Sequence, residues 1–372
     1  MPLPMNDILN VLTEIAPLDY AEDWDNVGLL IGHRSHAVSR IMLTIDLTDE
    51  ILKEAVKKEI DFILTYHPVF FHPVKRITDD SPEGRLLLNI MNNRMSVYSP
   101  HTALDAASGG VTDWLADAIG TGYRRPLVPH ECLAGSAEVK VVTFVPHDAV
   151  DRVRDALATA GAGKIGNYDH CSFSTPGTGS FRGGPDTHPV VGEAGRLEAV
   201  PEVRIEMVCS RAALPVLVAT LRQFHPYEEV PFDLYPLSPV PNLEVGIGRR
   251  VVLDQPTTVG EIGERLKKHL GITRLKTTNP MREVRTVGFV PGSGADLIDT
   301  AVRDSECELF VTGEMKHHAA LHAERLGCSI ILTGHTNSER GYLSVLKERL
   351  SDRLEEVSVM ISEKDRAQFV VL

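Results

Sequence analysis

A histidine and a glutamate near the carboxyl terminus have the residue types and spacing of metal ligands. His335 and Glu339 follow the apolar run 330–332, which predicts a buried strand. Residues that follow such strands collect at the carboxyl edge of an α/β sheet, where sites are commonly built. An imidazole and a carboxylate that converge there suit a divalent metal ion. Taken alone, this spacing is a weak signal, and it also fits a helix N-cap in which His335 hydrogen-bonds a loop.

Three other predicted strands lead into residues that can bind a metal ion. His67 follows the strand that begins at residue 61, Asp105 ends the stretch from 96, and Glu314 ends the stretch from 308. Because the carboxyl ends of parallel strands lie on one side of a sheet, we expect these residues to form a cluster. Histidine and carboxylate without thiolate favour Zn, Fe or Mn. A bridging carboxylate would also allow two ions.

Several of these residues have structural interpretations as well. Tyr66 fits a packed aromatic ring with a hydrogen-bonded hydroxyl better than it fits a metal ligand. His101 either binds metal or orients Asp105, and we favour the orienting role. Cys307 and Cys328 flank predicted strands, so we expect both thiols to be buried in packing positions.

The elements that must position the cluster alternate between strands and helices. This rhythm predicts an α/β domain with a mixed, largely buried sheet over residues 1–126 and 240–372. The composition of residues 122–135 is typical of a linker. Residues 136–238 follow a β-α-β…β-α-β order, which predicts an inserted ferredoxin-like α+β module. A glycine-rich stretch from residue 175 lacks the phosphate-loop pattern, so we predict a hairpin or loop there.

Composition narrows the classes of function. The chain has 372 residues and a net charge of -13, which argues against a surface that coats nucleic acid. It contains five cysteines without a C-x-x-C pair, and the amino terminus lacks the basic and apolar regions of a secretory signal. We therefore expect reduced thiols and a cytoplasmic protein. No apolar run approaches the ~20 residues of a membrane span.

The polar motifs also resemble those of a known family. Five strings occur in order along the chain: Trp24–Leu29, Tyr66–Phe71, Ser99–Asp105, Thr312–Glu314 and Gly334–Glu339. Together they resemble the motifs of the GTP cyclohydrolase 1 type 2 homologue family, the Nif-three-like dinuclear metal-centre proteins. The insertion is similar to the PII- and CutA-like module of the longer members, at Gly166–Phe173, Gly177–Phe181 and His225–Glu229.

The resemblance implies a set of ligands and an assembly. The family's metal ligands correspond to His67, Asp105, His335 and Glu339, which would hold one or two divalent ions. Many members have a second histidine where this chain has Tyr66, and a phenol with a reference pKa near ~10 is a poorer ligand than imidazole. The resemblance further implies a homohexameric ring.

Three functional hypotheses follow. The first is a metal-dependent hydrolase that acts on a nucleotide or a related small molecule, with Glu314 or His101 as an orienting residue or proton carrier. The second is a non-enzymatic metal-binding or regulatory hexamer, which a PII-like insertion would suit. A DNA-associated ring is a weaker possibility because of the negative net charge.

Overall fold

The computed structural model describes residues 2–132, 137–367 and 369, which divide into two compact units. Unit 1 comprises Met1–His130 and Asn242–Leu372, and unit 2 comprises Glu131–Pro241. The start of the insertion that we predicted at residue 136 lies outside the described residues. Among the described residues, no helix combines the length and apolar character that crossing a membrane requires.

Unit 1 contains two α/β sheets, each made of a parallel centre with antiparallel strands at one or both edges. Sheet 1 has the order β19-β4-β5-β6-β2, and its strands are β2 (Gly28–Ile31), β4 (Arg40–Thr44), β5 (Phe62–Thr65), β6 (Ser96–Ser99) and β19 (Ser358–Ile361). Only the β2–β6 pairing in this sheet is antiparallel. The last described strand of the chain therefore pairs with one of the first.

Sheet 2 has the order β15-β18-β17-β16-β14-β7. Its strands are β7 (Gly122–Arg125), β14 (Arg249–Thr258), β15 (Lys276–Thr277), β16 (Glu283–Ser293), β17 (Leu309–Glu314) and β18 (Ser329–Leu332). The pairings β16–β17 and β17–β18 are parallel, and the others are antiparallel. Two small sheets pair β1 (Leu3–Pro4) with β3 (Ala37–Val38), and β8 (Val128–Cys132) with β13 (Val240–Ile247).

The helices of unit 1 cover both faces of these sheets. They are α1 (Met5–Ile15), α2 (Asp49–Lys57), α3 (Pro82–Asn92), α4 (His101–Ala106), α5 (Val111–Asp117), α8 (Val259–Leu270), α9 (His317–Arg325) and α10 (Tyr342–Ser351). Short 3₁₀ turns occur at Leu18–Tyr20, Ala295–Leu297 and Thr336–Ser338, and a π-helical turn at Thr300–Asp304.

Alternation along each central strand explains this layering. In β4, Ile41 and Leu43 join the core formed with α1 and α10, whereas Met42 joins the core formed with α2 and α3. Successive side chains of a strand point to opposite faces, so an uninterrupted apolar strand needs helices on both sides. In α1, residues Ile8 and Leu12 are buried together with other apolar positions on one face, as their spacing predicts.

Unit 2 is an α+β module with a single described sheet. Its strands are β9 (Val139–Val145), β10 (Phe173–Arg182), β11 (Leu197–Cys209) and β12 (Phe232–Pro236), and its helices are α6 (Val150–Thr159) and α7 (Leu214–Phe224). The sheet order is β10-β11-β9-β12, with every neighbouring pair antiparallel. Chain order and pairing therefore follow a β-α-β-β-α-β pattern. The glycine-rich stretch lies in β10, one arm of a hairpin with β11.

Two local predictions need correction. Residues 122–132 are not an irregular linker, because they contain β7 and β8. β7 pairs with β14, so contacts made far along the chain override the local turn composition. Asp105 does not end a strand, because β6 stops at Ser99 and Asp105 lies in α4. The buried thiols are confirmed: burial raises the pKa of Cys307 and of Cys328 to about 12.

A buried ion pair secures the end of α4. Arg249 is 1% exposed and donates from Nε to Asp113 Oδ1 at 2.8 Å. Its guanidinium also donates to the carbonyl oxygens of Ala106 and Ala107, which follow Asp105. Burial alone would raise the pKa of the Asp113 carboxyl, but Arg249 lowers it below its usual value. Without Arg249, the Asp113 carboxylate would keep only the partly exposed Arg124 as a charged partner, at 3.2 Å, and losing the buried partner of such a pair is costly.

We predict that Arg249→Met lowers the free energy of unfolding by about 3–5 kcal/mol, because Asp113 loses its buried partner. Chemical denaturation followed by circular dichroism measures this change. Arg303→Met is the matched control, since Arg303 pairs with Asp299 on the exposed surface and its loss should change stability little. Equal unfolding midpoints for the two variants would contradict the prediction.

Candidate metal centre

His67, His335 and Glu339 meet in unit 1. Each offers one ligand atom, and these atoms all lie within 4.8 Å of one another. His67 Nε2 lies 3.8 Å from Glu339 Oε2, and His335 Nε2 lies 3.5 Å from Glu339 Oε1. Two imidazoles and a carboxylate at this separation form a donor set that can close around one divalent ion.

Two further carboxylates orient the imidazoles. Asp46 Oδ1 lies 2.9 Å from His67 Nδ1, and Glu314 Oε1 lies 3.0 Å from His335 Nδ1. Each contact uses Nδ1 and so leaves Nε2 directed to the cluster, the arrangement that metal-binding histidines commonly have. Burial alone would raise the pKa of Asp46, but the hydrogen bond and charge of His67 lower it below its usual value.

Glu339 is the buried member of the cluster. It is 2% exposed, and among the described residues its Oε2 atom has no hydrogen-bond partner. Burial raises the pKa of its carboxyl well above the usual value, and the nearby carboxylates of Asp105 and Asp46 raise it further. A buried carboxylate without a donor carries a large desolvation penalty, which a bound cation removes. The residues present therefore fit a divalent cation.

Glycine at position 292 leaves room for the cluster. It lies in β16 where the pairing with β17 is irregular, between Val290 and Ser293, and its φ of +61° lies in the left-handed region. A Cβ atom there would stand 2.6 Å from Glu339 Oε1 and 3.2 Å from His335 Nε2. Any side chain at this position would therefore displace the two ligands.

The buried Tyr66 and the partly buried Asp105 form a hydrogen-bonded pair beside the cluster. The Tyr66 hydroxyl donates to Asp105 Oδ1 at 2.6 Å. Burial raises the pKa of Tyr66 well above its usual value, and the negative charge of Asp105 adds to that rise. Burial also raises the pKa of Asp105. Asp105 is outside the group of three whose ligand atoms lie within 4.8 Å, so its role as a metal ligand stays a prediction.

His101 is held by an aspartate that precedes β2. Asp25 Oδ1 lies 2.8 Å from His101 Nδ1, and Asp25 Oδ2 accepts from the Thr102 hydroxyl at 2.5 Å. The rings of His101 and His67 are 5.2 Å apart between centroids. His101 has a φ of +23°, a conformation that costs a non-glycine residue energy and tends to occur at functional sites.

The strands that carry the ligands end where the sequence predicts. His67 lies just past β5 in sheet 1, while Glu314 ends β17 and His335 follows β18 in sheet 2. Glu339 lies directly after the 3₁₀ turn Thr336–Ser338 and shortly before α10. The carboxyl edges of both sheets thus contribute to one site.

Sequence reasoning missed three supporting residues. Asp46 ends a predicted strand but has no motif that marks it as a partner of His67. Asp25 lies in the string Trp24–Leu29, but its contact with His101 spans 76 positions of the chain. Gly292 lies in the glycine-containing end of β16, whose sequence signals a turn but not its closeness to Glu339.

The chain is similar to known proteins over nearly its whole length. Residues 3–367 match the family described as Duf34/NIF3 (NGG1p interacting factor 3). The chain belongs to this family. It is 33% identical over 369 residues to a Bacillus subtilis protein named GTP cyclohydrolase 1 type 2 homolog, covering 98% of both chains. It is 32% identical over 376 residues to human NIF3-like protein 1, covering 98% of this chain and 91% of the relative.

Solved structures of similar proteins agree with the α/β fold. A Bacillus cereus protein related to NIF3 is 32% identical, with a TM-score of 0.69 and coverage of 100% and 99% of the two chains. The Staphylococcus aureus protein SA1388 is 25% identical, with a TM-score of 0.82 and the same coverage. The predicted family and fold class are therefore confirmed.

We predict that Tyr66→His increases the metal content of the purified protein. The substitution places an imidazole beside Asp105 and removes the phenol that occupies Asp105 Oδ1. Elemental analysis after dialysis against Zn²⁺ or Mn²⁺ measures ions per chain. Tyr66→Phe is the matched control, because it removes the hydroxyl without adding a ligand. Equal metal content in wild type and Tyr66→His would contradict the prediction.

Proposed function

We propose that this protein binds a divalent metal ion, Zn, Fe or Mn, and hydrolyses a nucleotide or a related small molecule. The observation that carries the proposal is the cluster of His67, His335 and Glu339, with its buried and unpartnered carboxylate oxygen. The name of the Bacillus subtilis relative supports a nucleotide substrate. A bound divalent ion lowers the pKa of water toward ~7 and so makes a nucleophile available at neutral pH.

The protein residues have separate tasks in this proposal. Asp46 and Glu314 hold the two imidazoles in the tautomer and orientation that metal binding needs. Asp25 occupies Nδ1 of His101, so Nε2 is the nitrogen that exchanges a proton with the reacting groups. Asp105 lies close enough to Glu339 to raise its pKa, and we propose that it joins the coordination of one or two ions.

A second candidate function is a non-enzymatic metal-binding or regulatory assembly. Unit 2 supports it, because this separate compact module contributes none of the residues of the cluster. We propose a homohexamer for either function, and light scattering coupled to gel filtration measures its mass. Measuring substrate turnover separates the two functions, since a non-enzymatic metal-binding or regulatory protein binds metal but does not turn over a substrate.

We predict that His335→Ala and Glu339→Ala lose bound metal and hydrolysis of a nucleotide panel together. Each loss should exceed the ~10–100-fold effect of removing a residue that only orients a ligand. Elemental analysis and product chromatography measure the two quantities. His322→Ala is the matched control, because this histidine pairs with Asp299 on the surface of α9.

The outcomes separate the hypotheses. Absence of metal from native and reconstituted wild-type protein alike would contradict both metal-dependent functions. Metal binding without turnover in the presence of Zn²⁺, Mn²⁺ or Fe²⁺ would favour the non-enzymatic function. Turnover that survives in Glu339→Ala would place the reaction elsewhere in the molecule.

A further inference from the structure

Two aromatic rings stand exposed beside the metal centre. Trp24 is 63% exposed and Phe71 is 43% exposed. Both contact the partly buried ring of His101, with centroid distances of 6.0 Å and 5.8 Å and edge-to-face geometry. His101 in turn lies 5.2 Å from the ring of His67. Each exposed aromatic is thus one imidazole away from a residue of the metal cluster.

The segments that carry these rings are tied to each other. The Asn26 side chain donates to the carbonyl oxygen of Phe70 at 2.7 Å, which joins the residues beside Trp24 to the residue before Phe71. The backbone N–H of Glu22 donates to the hydroxyl of Thr102 at 3.1 Å. Hydrogen bonds on both sides of Trp24 therefore fix its segment, on one side to α4 and on the other to Phe70. An aromatic ring held in this way loses little conformational freedom when a ligand binds.

A single exposed apolar residue needs no functional explanation, but this pair differs in position and support. Both rings flank a histidine that is itself fixed by Asp25, next to the cluster. Flat aromatic faces favour a flat partner, because stacking uses the whole face of both rings. A ring with heteroatoms could also form a hydrogen bond with Nε2 of His101, since Asp25 occupies Nδ1. The net charge of -13 counts against a nucleic-acid polymer as the partner.

We propose that Trp24 and Phe71 form a ring-binding surface that holds a planar heteroaromatic part of the substrate beside the metal centre. This inference rests on the hydrolase function proposed above and assigns the substrate class. Stacking on the two side chains fixes the ring, and the bond to be hydrolysed then lies toward His67 and His335. Trp24 and Phe71 therefore set specificity, while the cluster supplies the chemistry.

The test compares ligands that have a ring with one that does not. GTP, ATP and UTP are titrated into the full-length, metal-loaded protein, and tripolyphosphate serves as the ring-free probe. Calorimetry measures each Kd, and quenching of indole fluorescence reports stacking on Trp24. The chain has two tryptophans, so Trp24→Ala shows how much quenching arises from Trp114.

We expect Trp24→Ala and Phe71→Ala each to weaken binding of the nucleotides by about ten-fold, the usual effect of losing one stacked aromatic. Binding of tripolyphosphate should stay within about two-fold in both variants, since it has no ring to stack. Tyr123→Ala is the matched control, because Tyr123 is a 59% exposed aromatic on β7 and should leave every Kd unchanged.

Three results would overturn the ring-binding surface. They are unchanged nucleotide affinity in both variants, equal losses for tripolyphosphate and nucleotides, and no saturable binding of any nucleotide to wild type. A change in oligomeric mass in Trp24→Ala with unchanged nucleotide affinity would show a subunit contact instead. Ring binding without hydrolysis by wild type would contradict the hydrolase function and leave the ring-binding surface standing.

Discussion

The buried carboxylate of Glu339 is the constraint on which the centre depends. It lies among other acidic groups, one of its oxygens lacks a hydrogen-bond partner among the described residues, and burial raises its pKa. Such a group would normally be replaced or paired, because an isolated buried charge is costly. Here it faces the imidazoles of His67 and His335 instead. Gly292, which has no side chain, leaves room beside it. A bound cation would offset the cost of burying this carboxylate, and the two imidazoles could bind the same ion.

The fold supplies this arrangement by joining two sheets at their carboxyl edges. The parallel strands β5 of sheet 1 and β17 and β18 of sheet 2 all lead toward the cluster. The last described strand, β19, returns to sheet 1 and pairs with β4, so the two halves of unit 1 are interlocked along the chain. The Arg249–Asp113 pair then fixes the end of α4, the helix that carries His101 and Asp105. The site therefore draws on rigid elements, which suits precise placement of ligands.

The residues of the site become more exposed with distance from Glu339. Glu339 is buried, His67 and His335 are partly buried, and Trp24 and Phe71 are exposed. Carboxylates from separate elements, Asp46, Glu314 and Asp25, each hold one histidine by Nδ1. The same contact thus occurs three times, and in each case Nδ1 of the imidazole faces the carboxylate. None of these residues belongs to unit 2.

The sequence by itself determined the α/β class and the family, and it marked His335, Glu339 and His67 as candidates for one cluster, because apolar strand runs and the polar residues that follow them are local patterns. It could not determine that Asp105 lies in a helix, that residues 122–132 form strands, or that Asp25 holds His101. Those features depend on pairings between distant segments, such as β7 with β14, which no local pattern encodes. Only the tertiary structure decided which residues at the carboxyl ends of the strands come together, because this depends on how the two sheets pack and not on spacing along the chain.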